Sequence, residues 1–277
     1  GMRCMHVNLG KALLLCSLLL LVVPACQQPD APCVPRVAAD WTLDRGGVVR
    51  GSRADKKLAL VFTGGEFGEG ATEILDALQA RGVKASFFVT GDFTAQPSHA
   101  AYLRRMVADG HYLGPHSHAH LLYCPWEDRN QTLVTREQFR DDLKRNIREL
   151  TRFGADRRSM RFFIPPFEFY NEQIVTWTCQ MGLLLVNFTR GTRSHADWAP
   201  EGHRSFLPSQ AIYQGILDYE AGNPDGLNGF LLLMHVGSGP QRADKMHPYV
   251  APLVDELHRR GYTFVRVDEL LPIPPAE

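Results

Sequence analysis

Gly229-Phe-Leu-Leu-Leu-Met-His235 is the stretch whose reading decides the fold. Its apolar residues leave no polar face. A strand built from them must be covered on both sides, as parallel strands under helices are. The histidine that ends the run falls just beyond the carboxyl end of that strand, where α/β folds gather their chemistry. Working outward, Leu58-Ala-Leu-Val-Phe62, Val83–Val89, Arg161-Phe-Phe-Ile164, Gly182–Phe188 and Tyr262–Arg266 read as further strands. Between them Ala71–Ala80, Ala100–Ala108 and Thr135–Phe153 repeat apolar residues at helical spacing, the last with a Phe139, Leu143, Ile147 and Leu150 stripe. Stretches at 170–181, 208–221 and 245–260 complete the helices. This alternation predicts an α/β fold of parallel strands with helices outside: an incomplete (β/α) barrel, or a doubly wound open sheet as the alternative. There is no internal repeat and no second domain.

The chain has 277 residues, 44% of them hydrophobic, with 30 basic and 30 acidic side chains. That is enough for one sizeable core, and zero net charge gives no electrostatic case for nucleic acid. Residues 1–26 differ in kind. Arg3 and Lys11 precede the apolar run Ala12–Val23, and Pro24-Ala25-Cys26 follows. This is an export signal, short of the roughly 20 apolar residues a spanning helix needs. Val23-Pro-Ala-Cys26 resembles a bacterial lipobox, so Cys26 is expected to carry lipid and to anchor the protein to a membrane, in the periplasm or at the cell surface. Gly1 ahead of Met2 reads as a cloning remnant. Residues 27–54 read as a tether, and 55–277 as the catalytic domain. Cys33, Cys124 and Cys179 then remain in the mature part; a Cys124–Cys179 disulfide and buried free thiols are both open.

The strand ends carry the chemistry. His116-Ser-His-Ala-His120 can turn two imidazoles to one metal ion, with a carboxylate from another loop completing the set. His118, between them, is expected to point away. Glu66 and Glu69, after the first strand, either face the cleft or favour a helix start. Pro165-Pro-Phe167-Glu168-Phe-Tyr170 sets aromatics beside a carboxylate, as a sugar platform or as loop packing, and Asp197-Trp198 has the same status. His235 is suited to general-acid work.

The order of these phrases resembles the polysaccharide deacetylases of carbohydrate esterase family 4, over residues 55–272. Phe87-Phe-Val-Thr-Gly91 looks like the family's second strand, and His116-Ser-x-x-His120 matches its metal motif. Ile164-Pro-Pro-Phe167 falls where the family has Arg-Pro-Pro-aromatic; Asp197-Trp198 and Leu233-Met-His235 match two later phrases. The resemblance implies a distorted (β/α)7 barrel. It also implies one divalent metal ion, zinc first with cobalt, nickel or manganese as alternatives, activating water against acetyl groups on a glycan. The departures are specific. The family's two adjacent aspartates, a base and a metal ligand, correspond to Thr63 and Gly64, and its base-orienting arginine to Ile164. Glu66 and Glu168 are gained nearby and are expected to replace them. Glu66 would serve as ligand or base, Glu168 as base or substrate contact, His235 as acid, and Phe167, Tyr170, Asp197 and Trp198 as substrate contacts. Two rival readings stand beside this deacetylase: a non-catalytic glycan-binding lipoprotein, and a glycoside hydrolase using Glu66 and Glu168.

Overall fold

The computed structural model describes residues 32–275; Cys26 and the stretch read as an export signal fall outside them. A two-stranded antiparallel hairpin, β1 (Thr42–Asp44) and β2 (Gly47–Arg50), comes first. The segment read as a tether is therefore structured in its second half, because Trp41 and Val48 are buried in the core. Alternating elements follow: β3 (Lys57–Gly64), α1 (Ala71–Ala80), β4 (Ser86–Val89), α2 (Gly91–Ala95), α3 (Ala100–Ala108), β5 (Tyr112–Pro115), α4 (Arg136–Thr151) and β6 (Phe162–Phe163). The chain continues through α5 (Glu172–Gln180), β7 (Leu184–Leu185), α6 (Ser209–Gly222), β8 (Leu231–His235), α7 (Val250–Arg259), β9 (Thr263–Phe264) and α8 (Val267–Leu270).

Strands β5, β4, β3 and β8 lie side by side in that order, β9 pairs with the start of β3, and β6 pairs with β7. Every pairing among β3–β9 is parallel. Side chains and loops bridge the gaps between these ladders. The Tyr112 hydroxyl of β5 accepts from the Arg161 and Phe162 amides at β6 (3.1 and 3.0 Å). Beyond β7, Thr189 N–H donates to Leu231 O of β8 at 3.0 Å. The seven strands β3–β9 thus form a distorted, interrupted (β/α)7 barrel, as expected.

Strand alternation divides the core in two. Leu58, Leu60, Phe62, Leu232 and Met234 pack outward against the helices. Ala59, Val61, Leu231 and Leu233 pack inward with Phe88, Tyr112, Phe162 and Val186. The long helix α4 starts where Thr135 and Gln138 form a reciprocal capping box. Cys33 is bonded to Cys179, and Cys124 is a buried free thiol. The Cys124–Cys179 pairing is thereby replaced: Cys33 lies beside α5, with Cα atoms 5.7 Å apart.

Candidate active site

The inward register of the strands builds the site. Ala59 and Val61 on β3, and Leu231 and Leu233 on β8, line the barrel interior, so the next inward positions are Thr63 and His235, paired across the two strands. Both open into a cleft of about 930 Å³ that also takes in His116, His120, Phe167 and Glu168.

His235 is held from behind. A short turn, Ser194–Trp198, is pinned to β8 by the Ser194 hydroxyl donating to Leu233 O at 2.6 Å. That turn buries Asp197, whose carboxylate accepts from the His235 amide at 2.8 Å and meets His235 Nδ1 at 2.6 Å. Burial by itself would lower the imidazole pKa. The Asp197 charge and hydrogen bond, aided by Glu168, outweigh it and hold the group above its ordinary value. With Nδ1 occupied, Nε2 is the atom left to exchange a proton with a substrate.

His116 is fixed differently. Its Nδ1 lies 2.7 Å from Ile164 O, and a carbonyl can only accept, so Nδ1 carries the hydrogen and Nε2 keeps its lone pair. Nε2 stands 3.9 Å from Glu168 Oε1. His120 has its ring centroid 5.2 Å from that of His116 and 4.3 Å from Phe167. Burial pushes His116 well below the ordinary imidazole range. Burial, and then the charge of His235, lower His120 to about 4. Both rings are neutral and able to donate lone pairs at neutral pH.

Asp142 on α4 clamps the loop that carries them. Its carboxylate accepts from the Ser117 hydroxyl and from the amides of His118 and Ala119, at 2.6–2.9 Å. Buried Asn146, one turn further along α4, accepts from the His116 amide at 2.9 Å and donates to Val89 O at 3.2 Å. His118 points away as expected, against Glu149. Gly91 explains itself here: a Cβ would lie 2.1 Å from His118 Nδ1. Left-handed backbone clusters in the same place, at Ser117, His120, Phe167 and Glu168 (φ 70, 50, 59 and 52°). Such conformations cost a non-glycine residue about 1–3 kcal/mol each and persist where the surroundings enforce them.

The two left-handed residues of the Pro-Pro turn aim Glu168 inward while Phe167 stays half exposed. Asn187 holds the turn by donating to Glu168 O at 2.9 Å. Burial raises the Glu168 carboxyl to about 7; the Asp197 charge pushes the same way and His235 opposes it. Glu168 is thus the carboxylate brought to the histidines. Glu66 lies exposed on the rim of the cleft, and its side chain makes no hydrogen bond or ion pair among the described residues. Glu69 turns away to accept from Ser238 N, Gly239 N and Lys245 Nζ, tying the β3 loop to the β8 loop. Trp198 is half exposed on the cleft wall. Two expected sugar contacts lie elsewhere. Tyr170 is fully buried and donates to Asp44 O at 2.8 Å, because the turn at 167–168 sends its side chain into the core. Asp197 is 3% exposed and faces His235 instead of the cleft.

His195 is the site residue the sequence did not bring forward. It lines the cleft two positions before Asp197, its ring 4.3 Å from Phe188, and burial lowers it to about 4.

Two neutral imidazoles and a carboxylate form a donor set suited to a zinc-class ion. Two ligands of a tetrahedral ion stand roughly 3.4 Å apart, given bonds near 2.1 Å. The 3.9 Å from His116 to Glu168 is close to that spacing. Among the described residues no three such groups are already drawn together, so binding would require His120 and Glu168 to close inward. The Thr63 hydroxyl is buried on the same cleft without a hydrogen-bond partner among the described residues, which suits a polar ligand there. Gly64 is sealed: a Cβ there would lie 2.8 Å from Phe93 Cδ2, and the buried Phe93 ring fills the space a side chain would need.

A cleft at the carboxyl ends of a (β/α)7 barrel, with a histidine pair on one side and a histidine–aspartate dyad on the other, defines the carbohydrate esterase family 4 class of domain. Residues 50–186 match the polysaccharide deacetylase family, and the chain belongs to it. Peptidoglycan-N-acetylglucosamine deacetylase PgdA of Listeria monocytogenes is 26% identical over 79% of this chain and 40% of its own length. Peptidoglycan-N-acetylmuramic acid deacetylase PdaA of Bacillus subtilis is 24% identical over 80% of this chain and 73% of its own. This chain thus spans less than half of the first relative's length. Among solved structures, BA3943 of Bacillus anthracis, described as a CE4 family pseudoenzyme, superposes with a TM-score of 0.63 at 20% identity, over 82% of this chain and 69% of that one.

Proposed function

We propose that the chain is an exported, metal-dependent carbohydrate deacetylase whose acid–base set has been rebuilt around Glu168. The observation that carries this reading is that Glu168, neutral His116 and the Asp197-backed His235 open into one cleft. The family and the relatives' names supply the substrate class, an acetylated glycan.

His116, His120 and Glu168 would hold a zinc-class ion. Bound there, it would supply Lewis-acid polarisation of the acetyl carbonyl and ease ionisation of a water. Glu168 takes the proton of the attacking water as it adds to the carbonyl carbon. His235 then gives a proton from Nε2 to the departing sugar amine or alcohol as its bond to that carbon breaks, and acetate leaves. Asp197 keeps the imidazole oriented and supports its charge. Phe167, Trp126 and Trp198 line the cleft with exposed aromatic surface suited to a sugar ring, with Glu66 at the rim to accept sugar hydroxyls. The Cys33–Cys179 disulfide supports export, since such bonds persist in oxidising compartments, and Cys26 is the lipid-bearing residue of this reading.

A second reading has its own observation in favour. Thr63 and sealed Gly64 stand where the family has its aspartates, so the cleft could bind an acetylated glycan without turning it over. One experiment separates the two: zinc content and acetate release from acetylated chitooligosaccharides, for wild type, His116→Ala/His120→Ala, Glu168→Gln and Glu66→Gln. We expect about one equivalent of zinc in wild type and none in the double variant. Glu168→Gln should hold less zinc, as it removes one of the three proposed ligands, and should lose at least about 10²–10⁴-fold in rate, the usual worth of a positioned acid or base. Glu66→Gln should keep its metal. Wild type that binds the oligosaccharide but releases no acetate would refute the deacetylase and establish the binding module.

A further inference from the structure

A second cavity lies on the outer flank of the barrel and shares no residue with the catalytic cleft. It is a groove of about 530 Å³ between α4 and α5. Arg136, Arg140, Lys144 and Arg148 recur every fourth residue along one wall, Arg157 closes an end, and no acidic residue lines it. Trp177 of α5 and Met181 just after it face these cations.

Like charges four apart on a helix destabilise it. Three such pairs follow one another here, and Arg152 continues the series beyond the groove. Lys144, Arg148, Arg152 and Arg157 have no carboxylate within 4 Å among the described residues, and all four are exposed. Around Lys144, Arg148 and Arg152 the repulsion therefore has no ion-paired carboxylate to offset it among the described residues, and an anionic partner would relieve it.

The disulfide says which partner. Cys179 lies on α5, one residue before Gln180 of the groove wall, and its bond to Cys33 fixes the chain there. Beside it Val34 is an exposed aliphatic side chain, 82% accessible. Seven residue steps separate Cys33 from Cys26, and even fully extended they reach only about 25 Å. A lipid on Cys26 would hold the α4–α5 flank within that distance of a bilayer.

We infer that the basic groove docks onto phosphate-bearing anionic lipid headgroups. The disulfide leash keeps that face toward the membrane. This rests on the lipid-anchor part of the reading above, and the test separates the two. The full chain is partitioned onto phosphatidylcholine vesicles with and without 30% phosphatidylglycerol, and the ratio of the two partition coefficients is read, so that any apolar contribution from the leader cancels. Each cation near an anionic surface is worth about 1 kcal/mol, or roughly fivefold. Lys144→Gln/Arg148→Gln/Arg157→Gln should therefore lower the ratio by about 100-fold, with thermal unfolding unchanged or slightly raised, because all three side chains are exposed and two of them leave like-charge pairs. An unchanged ratio overturns the docking face. Loss of the wild-type preference in inorganic phosphate, but not in chloride of equal ionic strength, would also overturn it, in favour of a small-anion site. Mass spectrometry of Cys26 from membranes reports the anchor separately. A missing acyl group would sink the leash and leave the vesicle ratio to judge the groove.

Discussion

Replacing Asp197 should reverse the way His235 responds to pH. The carboxylate makes two short contacts to one residue, 2.8 Å to its amide and 2.6 Å to Nδ1, in a buried setting. Hydrogen bonds to charged groups contribute about 1.5–3 kcal/mol each, and breaking a buried pair by deleting one partner costs about 3–5 kcal/mol. Asp197→Ala should therefore lose about 3–5 kcal/mol in urea unfolding at pH 5. The sign follows from the direction of the shift. In wild type the folded-state pKa of His235 is raised, so its contribution is fully present below the unfolded value of about 6.5 and fades as pH rises through the folded value. Without Asp197, burial acts with little opposition and the folded pKa drops below 6.5, so the variant instead gains stability as pH rises through that range. The gap between the two proteins should be widest near pH 5 and narrow toward pH 9. Histidine NMR titration checks it directly, because the His235 signal should move its midpoint downward in the variant. A midpoint that stays put would show that Asp197 does not govern the imidazole, and the acid role of His235 would lose its support.

Three further outcomes follow from the packing. Gly64→Asp, which restores a family residue, should cost about 1–3 kcal/mol, the usual penalty for overpacking, because its Cβ would press on Phe93 at 2.8 Å. Urea unfolding measures this, and a variant as stable as wild type would mean that the Phe93 ring yields freely. Burial raises the Glu69 carboxyl, but Lys245 and the Ser238 and Gly239 amides outweigh it and bring it down from 4.5 to about 2. Its contribution is present above pH 4.5 and lost as pH falls toward 2. With the side chain 34% exposed and screened, about 1–2 kcal/mol of acid sensitivity should vanish in Glu69→Gln, as read from melting temperatures between pH 5 and 2.5. Cys33→Ser/Cys179→Ser opens a 146-residue loop, for which chain entropy sets a ceiling of about 5 kcal/mol. Wild-type stability that is indifferent to a reductant would show that the bond constrains only the lead-in.

Much of this was legible in the sequence because it rests on periodicity. The bounds of α1 and α3 and the inward histidine of β8 follow from apolar spacing, and the paired histidines from their own four-residue spacing, although β5 before them is not among the strands read from the sequence. Asn146 was legible in principle, as the polar residue within the buried stripe of α4. Other features depend on what local sequence does not encode. The strands β6 and β7 shrink to two residues where Tyr112 and Thr189 take over their bridging. Cysteine pairing follows three-dimensional proximity, which put Cys33, from a stretch read as tether, beside Cys179. The inward aim of Glu168, and with it the burial of Tyr170, turns on two successive non-glycine residues at positive φ, a conformation no residue type in the turn advertises.

That same turn bears on whether the altered site is a rebuilt one. If the cleft only bound sugar, Phe167 alone would suffice at its edge, and the next residue would be free to take an ordinary extended backbone. Instead Phe167 and Glu168 both adopt left-handed geometry, at about 1–3 kcal/mol each. Asn187 fastens the turn through Glu168 O, and the result is a carboxylate 3.9 Å from an imidazole nitrogen that Ile164 O has already turned toward it. Ile164 occupies the position of the family's arginine. Its side chain is packed into the barrel while its carbonyl sets the His116 tautomer, so nothing there depends on a carboxylate at residue 63. Strain and fastening both favour the placement of Glu168, and with the His116 tautomer they are what the proposed rebuilt site requires.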